Sequence, residues 1–292
     1  MPSTRDIRRR IKSVKNTAQI TKAMQMVASS KMRRAQLVAL AGRPYAELMN
    51  KVLGSVAAAA TDFSHPLMEK RSGKQRCVVL VSSDKGLCGA LNSNLTREAG
   101  KYEKDTTVFV CAGKKGAQFV SRNKRNLAAE FTYKDSPMFA EARAISKFVQ
   151  DLFLKGEVDS VEVLYTNFIS TLVQKPETQP LLPIGELKGV QAGVEGGETS
   201  MALEKSGVEF QFEPGPDAVL GALLPHYLNY QIYQILLEAK ASEQSSRMVA
   251  MKNATDNAMQ LIKDLTLEYN KLRQANITKE LLEITTAQMA LG

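Results

Sequence analysis

The chain has 292 residues, 44% of them apolar, so it can build a real core. Aromatics make up 6%, Trp is absent and Met reaches 12, a balance that leans towards helix packing rather than an all-β sandwich. No run approaches the ~18 uninterrupted apolar residues of a membrane span, and the net charge of +9 sits almost wholly in residues 1–34, which hold ten basic side chains against the single acid Asp6.

From Ser3 to Ala41 the chain lacks Gly and Pro, which predicts ~58 Å of helix at ~1.5 Å per residue. Within it Ile7, Ile11, Val14, Ala18, Thr21, Gln25, Ala28, Met32 and Ala35 recur in alternating steps of four and three. That is a heptad seam, apolar at first and then small, and small seam residues let two helices approach closely. A basic, acid-poor N-terminus has the composition of an organellar presequence. The seam argues against that, because it runs through the segment and past it without a break. Gly42 and Pro44 predict a kink, after which the helix resumes through Tyr45 to Ala60.

The middle has a different period. Cys77–Val81, Thr107–Cys111, Leu127–Thr132 and Val161–Tyr165 are short β-rich apolar runs, separated by helical patterns over Ala90–Tyr102, Lys115–Arg122 and Met138–Leu154. Alternation at this spacing predicts βαβ units on a mainly parallel sheet, an α/β body of Rossmann-like type. A further strand is expected near Thr171–Gln174, ahead of the Pro-rich stretch Pro176–Pro183. Residues 185–207, rich in Gly and Glu, read as a loose linker. Phe210 and Phe212 alternate, and Pro216 opens the last helix with Asp217 in its first turn. From His226 to Leu291 there is again no Gly or Pro, ~100 Å of helix. Its seam runs from Leu223 through Tyr227, Tyr230, Gln234, Leu237, Ala241, Gln244, Met248, Met251, Thr255, Ala258, Ile262, Leu265 and Tyr269 to Leu272. A seven-residue repeat sustained this long implies a left-handed supercoil. Two unequal seams at opposite ends of one chain favour an intramolecular antiparallel pair over an ordinary dimeric coiled coil. Polar seam residues such as Gln25, Gln234, Gln244 and Thr255 suit a fixed register more than maximal stability.

Little in the sequence offers covalent chemistry. Val81–Asn92 follows the first strand and opens a helix, where doubly wound folds place phosphates. It matches neither GxxxxGK[ST] nor GxGxxG, so a tight turn that needs its glycines is the better reading. Cys88 in that turn would need a histidine base to act as a nucleophile. The candidates, His65 and His226, lie in a loop and at the start of the last helix, and a small buried thiol fits better. Cys77, Cys88 and Cys111 form no CxxC pair, which argues against a zinc site or redox pair and suits a reducing compartment. No metal ligands or cofactor motif cluster. The basic first helix could bind nucleic acid, but it carries its own packed seam, and an acidic protein sleeve or membrane surface fits that better.

Three strings in the chain are similar to one family, the gamma subunit of F-type ATP synthase, and the resemblance covers nearly the whole length. They are Ile11–Thr17 with Ile20–Ala28 and Lys31–Arg33; Ser83–Asn92; and Ala241–Glu243, Arg247–Asn257, Tyr269–Asn270 with Arg273–Glu280. The resemblance implies a long antiparallel coiled coil of the terminal helices, a rotor shaft, with an α/β body. By that resemblance 1–60 and 209–292 are shaft helices, 75–184 the body and 185–208 a linker. The shaft turns inside a hexamer of alpha and beta subunits, while the body meets the epsilon subunit and the membrane ring of c subunits. The chain is then a non-catalytic subunit, binding neither cofactor, metal nor nucleic acid. It is peripheral on the cytoplasmic face of a bacterial plasma membrane. The family's contacts carry over to Met24, at the beta subunit's catch loop, and to Arg247, Gln274 and Thr278, which face the catalytic subunits. Phe210 and Glu213 carry over as contacts near the ring and epsilon. One departure is at the C-terminal end, where Glu283-Ile284 is followed by Thr285-Thr286-Ala287-Gln288 in place of the family's Val, one residue, then Gly-Ala. The alternative from another class is a coiled-coil nucleic-acid-binding or scaffold protein.

Overall fold

The computed structural model describes residues 3–59, 65–184, 213 and 215–291. The predicted linker and Phe210 lie outside the described residues. The chain divides into two compact units, residues 1–27 with 248–292, and residues 28–247. The helices α1 (Thr4–Ala41) and α6 (Pro216–Leu291) contribute to both.

In the first unit the two helices pack along the predicted seam. Ile7, Ala18 and Thr21 of α1 are buried, with Ile11, Val14 and Gln25 half-buried. On α6, Met251, Thr255, Ala258 and Leu265 are buried, with Ile262, Tyr269 and Leu272 half-buried. The pairing is antiparallel: Arg8 bonds the Tyr269 hydroxyl, and further up α1 Thr21 meets Thr255, earlier on α6, at 2.7 Å between hydroxyl oxygens. Each hydroxyl also lies near a carbonyl of its own helix, Thr21 Oγ1 3.1 Å from that of Thr17 and Thr255 Oγ1 2.8 Å from that of Met251, so one of the pair donates across the seam while the other donates back to its helix. The seam residues are small or polar because the helices touch closely there, and the hydroxyl pair fixes register. Beyond Leu272 every described side chain of α6 is exposed as far as Met289.

The second unit is built on a five-stranded sheet in the order β3-β2-β1-β4-β5. The strands are β1 (Arg76–Val81), β2 (Thr107–Ala112), β3 (Asn126–Phe131), β4 (Ser160–Phe168) and β5 (Gln174–Leu182). The first four are parallel and β5 is antiparallel to β4. Alternation sorts the side chains between two layers. Val78, Leu80, Phe109 and Cys111 face α3 (Leu91–Ala99) and α4 (Lys114–Arg122). Cys77, Val79, Val81 and Val110 face α2 (Arg43–Ala59), α5 (Phe139–Leu154) and the α6 residues Leu224, Leu228 and Leu236.

Two features depart from the sequence reading. The Pro-rich stretch is itself the fifth strand, with Pro176 opposite Thr166 and Pro180 opposite Glu162. Prolines are tolerated because β5 is an edge strand, where a missing N–H costs no ladder bond on the outer side. Residues 171–173 form the β4–β5 turn instead, closed by Val173 N–H donating to the Ser170 carbonyl at 3.3 Å. The last helix also takes in Pro225, and around residues 234–245 it is buried on nearly every side rather than along one seam. At the kink, α1 ends at Ala41 and α2 begins at Arg43, and the Gly42 carbonyl accepts the Tyr230 hydroxyl at 2.8 Å. A side chain at Gly42 would meet Gln234 at 2.9 Å.

Candidate functional site

The stretch Val81–Asn92 is the one part of the body whose sequence suggested chemistry, and its geometry is structural. Ser82 Oγ donates to the Gly113 carbonyl at 3.1 Å and accepts the Gly116 N–H at 2.7 Å, tying the ends of β1 and β2 together. Gly113 has φ +109, and a Cβ there would lie 2.1 Å from the Ser82 carbonyl oxygen, so only glycine fits. Asn92 Nδ2 donates to Ser83 Oγ at 2.8 Å and to Cys88 Sγ at 3.2 Å, bracing the turn from the first helical residues after it. Cys88 is buried against these two side chains, while His226 bonds the Tyr45 hydroxyl and His65 caps the 3-10 turn Pro66–Met68. Burial pushes the thiols of Cys77 and Cys111 up to about 12, far from a reactive thiolate. Among the described residues no group of His, Cys, Asp and Glu could hold a metal ion.

What the turn does is receive α6. Ser246 Oγ donates to the Cys88 carbonyl at 2.7 Å, and Arg247 Nη2 lies 3.3 Å from the carbonyls of both Lys85 and Gly86. Ser245 Oγ donates to the Thr171 carbonyl in the β4–β5 turn at 2.8 Å. A charged network runs alongside. Arg247 Nη1 pairs with Glu243 Oε1 at 2.7 Å, and Glu243 Oε2 accepts Lys240 Nζ at 2.9 Å. Lys240 also lies 3.4 Å from Asp135 and 5.1 Å over the Tyr133 ring. Asp135 in turn accepts Lys31 Nζ of α1 at 2.5 Å. The Lys31 hydrogen bond holds the Asp135 carboxyl below the usual carboxylate range, with Lys240 adding to the effect. Tyr133 is driven far up by burial, reinforced by the nearby Glu243, Asp84 and Glu141 carboxylates.

The residues carried over from the family resemblance are spread out. Met24 is half-buried on α1 in the first unit. Gln274 and Thr278 are exposed one turn apart on α6, where Thr278 Oγ1 donates to the Gln274 carbonyl at 3.0 Å. By the register of Thr21 against Thr255, Met24 lies some twenty helical residues from Gln274, ~30 Å along the pair. Arg247 belongs to the second unit and is largely buried in the network above. Glu213 is exposed, and Phe210 is outside the described residues. The sequence reading missed Lys240, Glu243, Asp135 and Lys31. The spacing of Lys240, Glu243 and Arg247, three and four apart on one helical face, was the available signal.

Residues 3–291 match a family described as ATP synthase. The chain is 51% identical to the ATP synthase gamma chain of Opitutus terrae, with 99% of each covered, and 46% identical to that of Methylacidiphilum infernorum over the full length of both. It belongs to the ATP synthase gamma-chain family. Among solved structures, a chain of the Tetrahymena thermophila mitochondrial ATP synthase central stalk and c-ring shares 27% identity, with a TM-score of 0.59 over 80% of this chain and 99% of that one. A chain of the Euglena gracilis mitochondrial ATP synthase shares the fold at TM-score 0.71, with 20% identity over 99% and 94% of the two chains. The gamma-chain fold expected from the sequence, an antiparallel pair of terminal helices plus an α/β body, is the one observed. No helix among the described residues is long and apolar enough to cross a membrane.

Proposed function

We propose that this gamma chain is the rotating shaft of its synthase, turned by the ion-driven membrane ring of c subunits and turning within the alpha–beta hexamer. The carrying observation is the uncovered end of α6. Ile277, Leu281, Leu282 and Ile284 are 45–60% exposed on a helix with no intramolecular partner beyond Leu272 among the described residues. An apolar helix end of this kind needs a surrounding sleeve, and the two catalytic subunit types supply one. The chain is non-catalytic in this reading, and its asymmetric surface presents different faces to successive nucleotide sites. Met24, Gln274 and Thr278 are the proposed contacts with the catalytic subunits. Arg247 joins them only by exchanging partners, since its guanidinium already serves Glu243 and two loop carbonyls. Glu213 and Phe210 are assigned to the epsilon subunit and ring side. We place 1–60 and 209–292 as shaft helices and 75–184 as the body joined through 185–208. The assembly sits at the cytoplasmic face of a bacterial plasma membrane. In this setting the basic α1 needs no nucleic-acid partner.

The test is reconstitution with purified alpha and beta subunits from the same source. A stoichiometric complex whose ATP hydrolysis rises well above that of the subunits alone is expected. A folded chain that neither joins the complex nor changes turnover would overturn the reading.

A further inference from the structure

We propose that Glu243 is the positioning residue that keeps α6 from turning in its seat in the second unit, by holding Arg247 on the backbone of the Ser83–Asn92 turn and Lys240 on Asp135. Its importance for coupling rests on the rotary reading above, but the clamp itself lies within one chain.

A shaft transmits torque only if its helix cannot spin against the body it is seated in. Apolar packing resists separation well but resists rotation about a helix axis poorly, because one apolar contact can be exchanged for the next. Directed bonds to backbone carbonyls have no such substitute. The segment 240–247 concentrates them. Glu243 is 4% exposed and uses both carboxylate oxygens, one for Arg247 and one for Lys240. Through these two cations it reaches the β1–α3 turn and the β3–α5 loop, and through Asp135 it reaches Lys31 of α1. Ser245, two residues before Arg247, lies about 160° around the helix from it at ~100° per residue. Its bond to the Thr171 carbonyl therefore grips the opposite side. Rotation in either sense strains bonds on both sides together.

Stability alone does not account for the arrangement. A buried ion pair repays its desolvation poorly, and apolar side chains of similar volume often serve as well or better. What the charges supply is direction and fixed partners, since charge-assisted bonds are shorter and more geometrically specific than neutral ones.

The experiment compares the full chain with Glu243→Gln, which preserves shape and removes the charge. In the isolated chain, backbone hydrogen exchange over residues 83–90 is expected to quicken by about tenfold, as for the loss of one charge-assisted bond, with residues 248–272 unaffected. In the complete complex in proteoliposomes, ions moved per ATP hydrolysed should fall roughly threefold, within the range seen for residues on a coupling network. In an Arg247→Ala background the same substitution should add little further loss, which a merely structural role would not produce. Unchanged exchange over 83–90 would overturn the clamp, whatever the complex does. Faster exchange with an unaltered ion-to-ATP ratio, or full additivity with Arg247→Ala, would overturn the coupling role. An unmodified chain that shows the expected protection yet forms no active complex sinks the rotary reading, and the coupling role with it. Should Glu243→Gln fail to fold, Asp135→Asn, at a half-exposed position, releases Lys240 and Lys31 and must quicken exchange over 132–138 for the proposal to stand.

Discussion

Glu238 on α6 gives a direct test of the packing between that helix and the sheet. Its carboxylate accepts the Phe168 N–H at 3.4 Å, next to Tyr165 on β4 and Glu177 on β5. Burial pushes its pKa from 4.5 up to about 7, the Phe168 bond pulls it down, and Glu177 pushes it up again. The folded state therefore holds a proton between those two pH values that the unfolded chain has released. Stability must fall as pH rises from about 4.5 to about 7 and then level off. At ~1.4 kcal/mol per pH unit over that interval, the loss amounts to about 3 kcal/mol. Glu238→Gln keeps a neutral side chain of the same length at every pH and removes that slope. In urea unfolding followed by tyrosine signals, the variant should match the parent near pH 4.5 and exceed it by about 3 kcal/mol at pH 8. An identical difference at both pH values would refute the argument, because it would show that the carboxyl does not change charge in its folded setting.

Three further outcomes are expected. The Thr21–Thr255 pair should show a coupling of ~0.5–1.5 kcal/mol in a double-mutant cycle with valine, read by thermal unfolding of the helical pair; a coupling near zero would mean that register is set elsewhere. Gly113→Ala should fail to give a soluble folded body, because the left-handed φ and the Ser82 carbonyl leave no room, and a normal circular dichroism melt would contradict this. Gln274→Ala and Thr278→Ala should leave the isolated chain's stability within ~0.5 kcal/mol, as for exposed sites, while lowering turnover of the assembled complex. Unchanged turnover in both would remove them as contacts.

The sequence showed most plainly what periodicity can carry. Every seam residue from Ile7 to Gln25 and from Met251 to Leu272 is buried or half-buried in the helical pair, because a long two-helix interface imposes one repeat. That signal fails between Gln234 and Ser245, where α6 is enclosed by sheet, turns and α1 at once and burial no longer follows a stripe. The four parallel strands were visible as apolar runs. The fifth was not, since Pro176 and Pro180 read as strand breakers until the strand's edge position is known. The Lys240–Glu243–Arg247 spacing was on the page, but ordinary surface helices carry such triplets too, and only three-dimensional burial separates this one from them. Arg247 shows the converse. Family resemblance points it outward to a partner, whereas in the free chain its bonds are satisfied internally.

The bare end of α6 has a consequence for the life of the subunit before it meets its complex. Residues 273–289 have every side chain exposed, so α6 gains no tertiary support there within the described chain. Isolated helix of that length is marginal in water. A newly made copy therefore offers proteases an apolar, easily frayed tail, which insertion into the proposed alpha–beta sleeve would shield. Orphan copies would be cleared from that end first, which would match the supply of shafts to the number of hexamers able to hold them. Limited proteolysis of the free and assembled chain would read this as early cleavage after Leu272 that disappears on assembly.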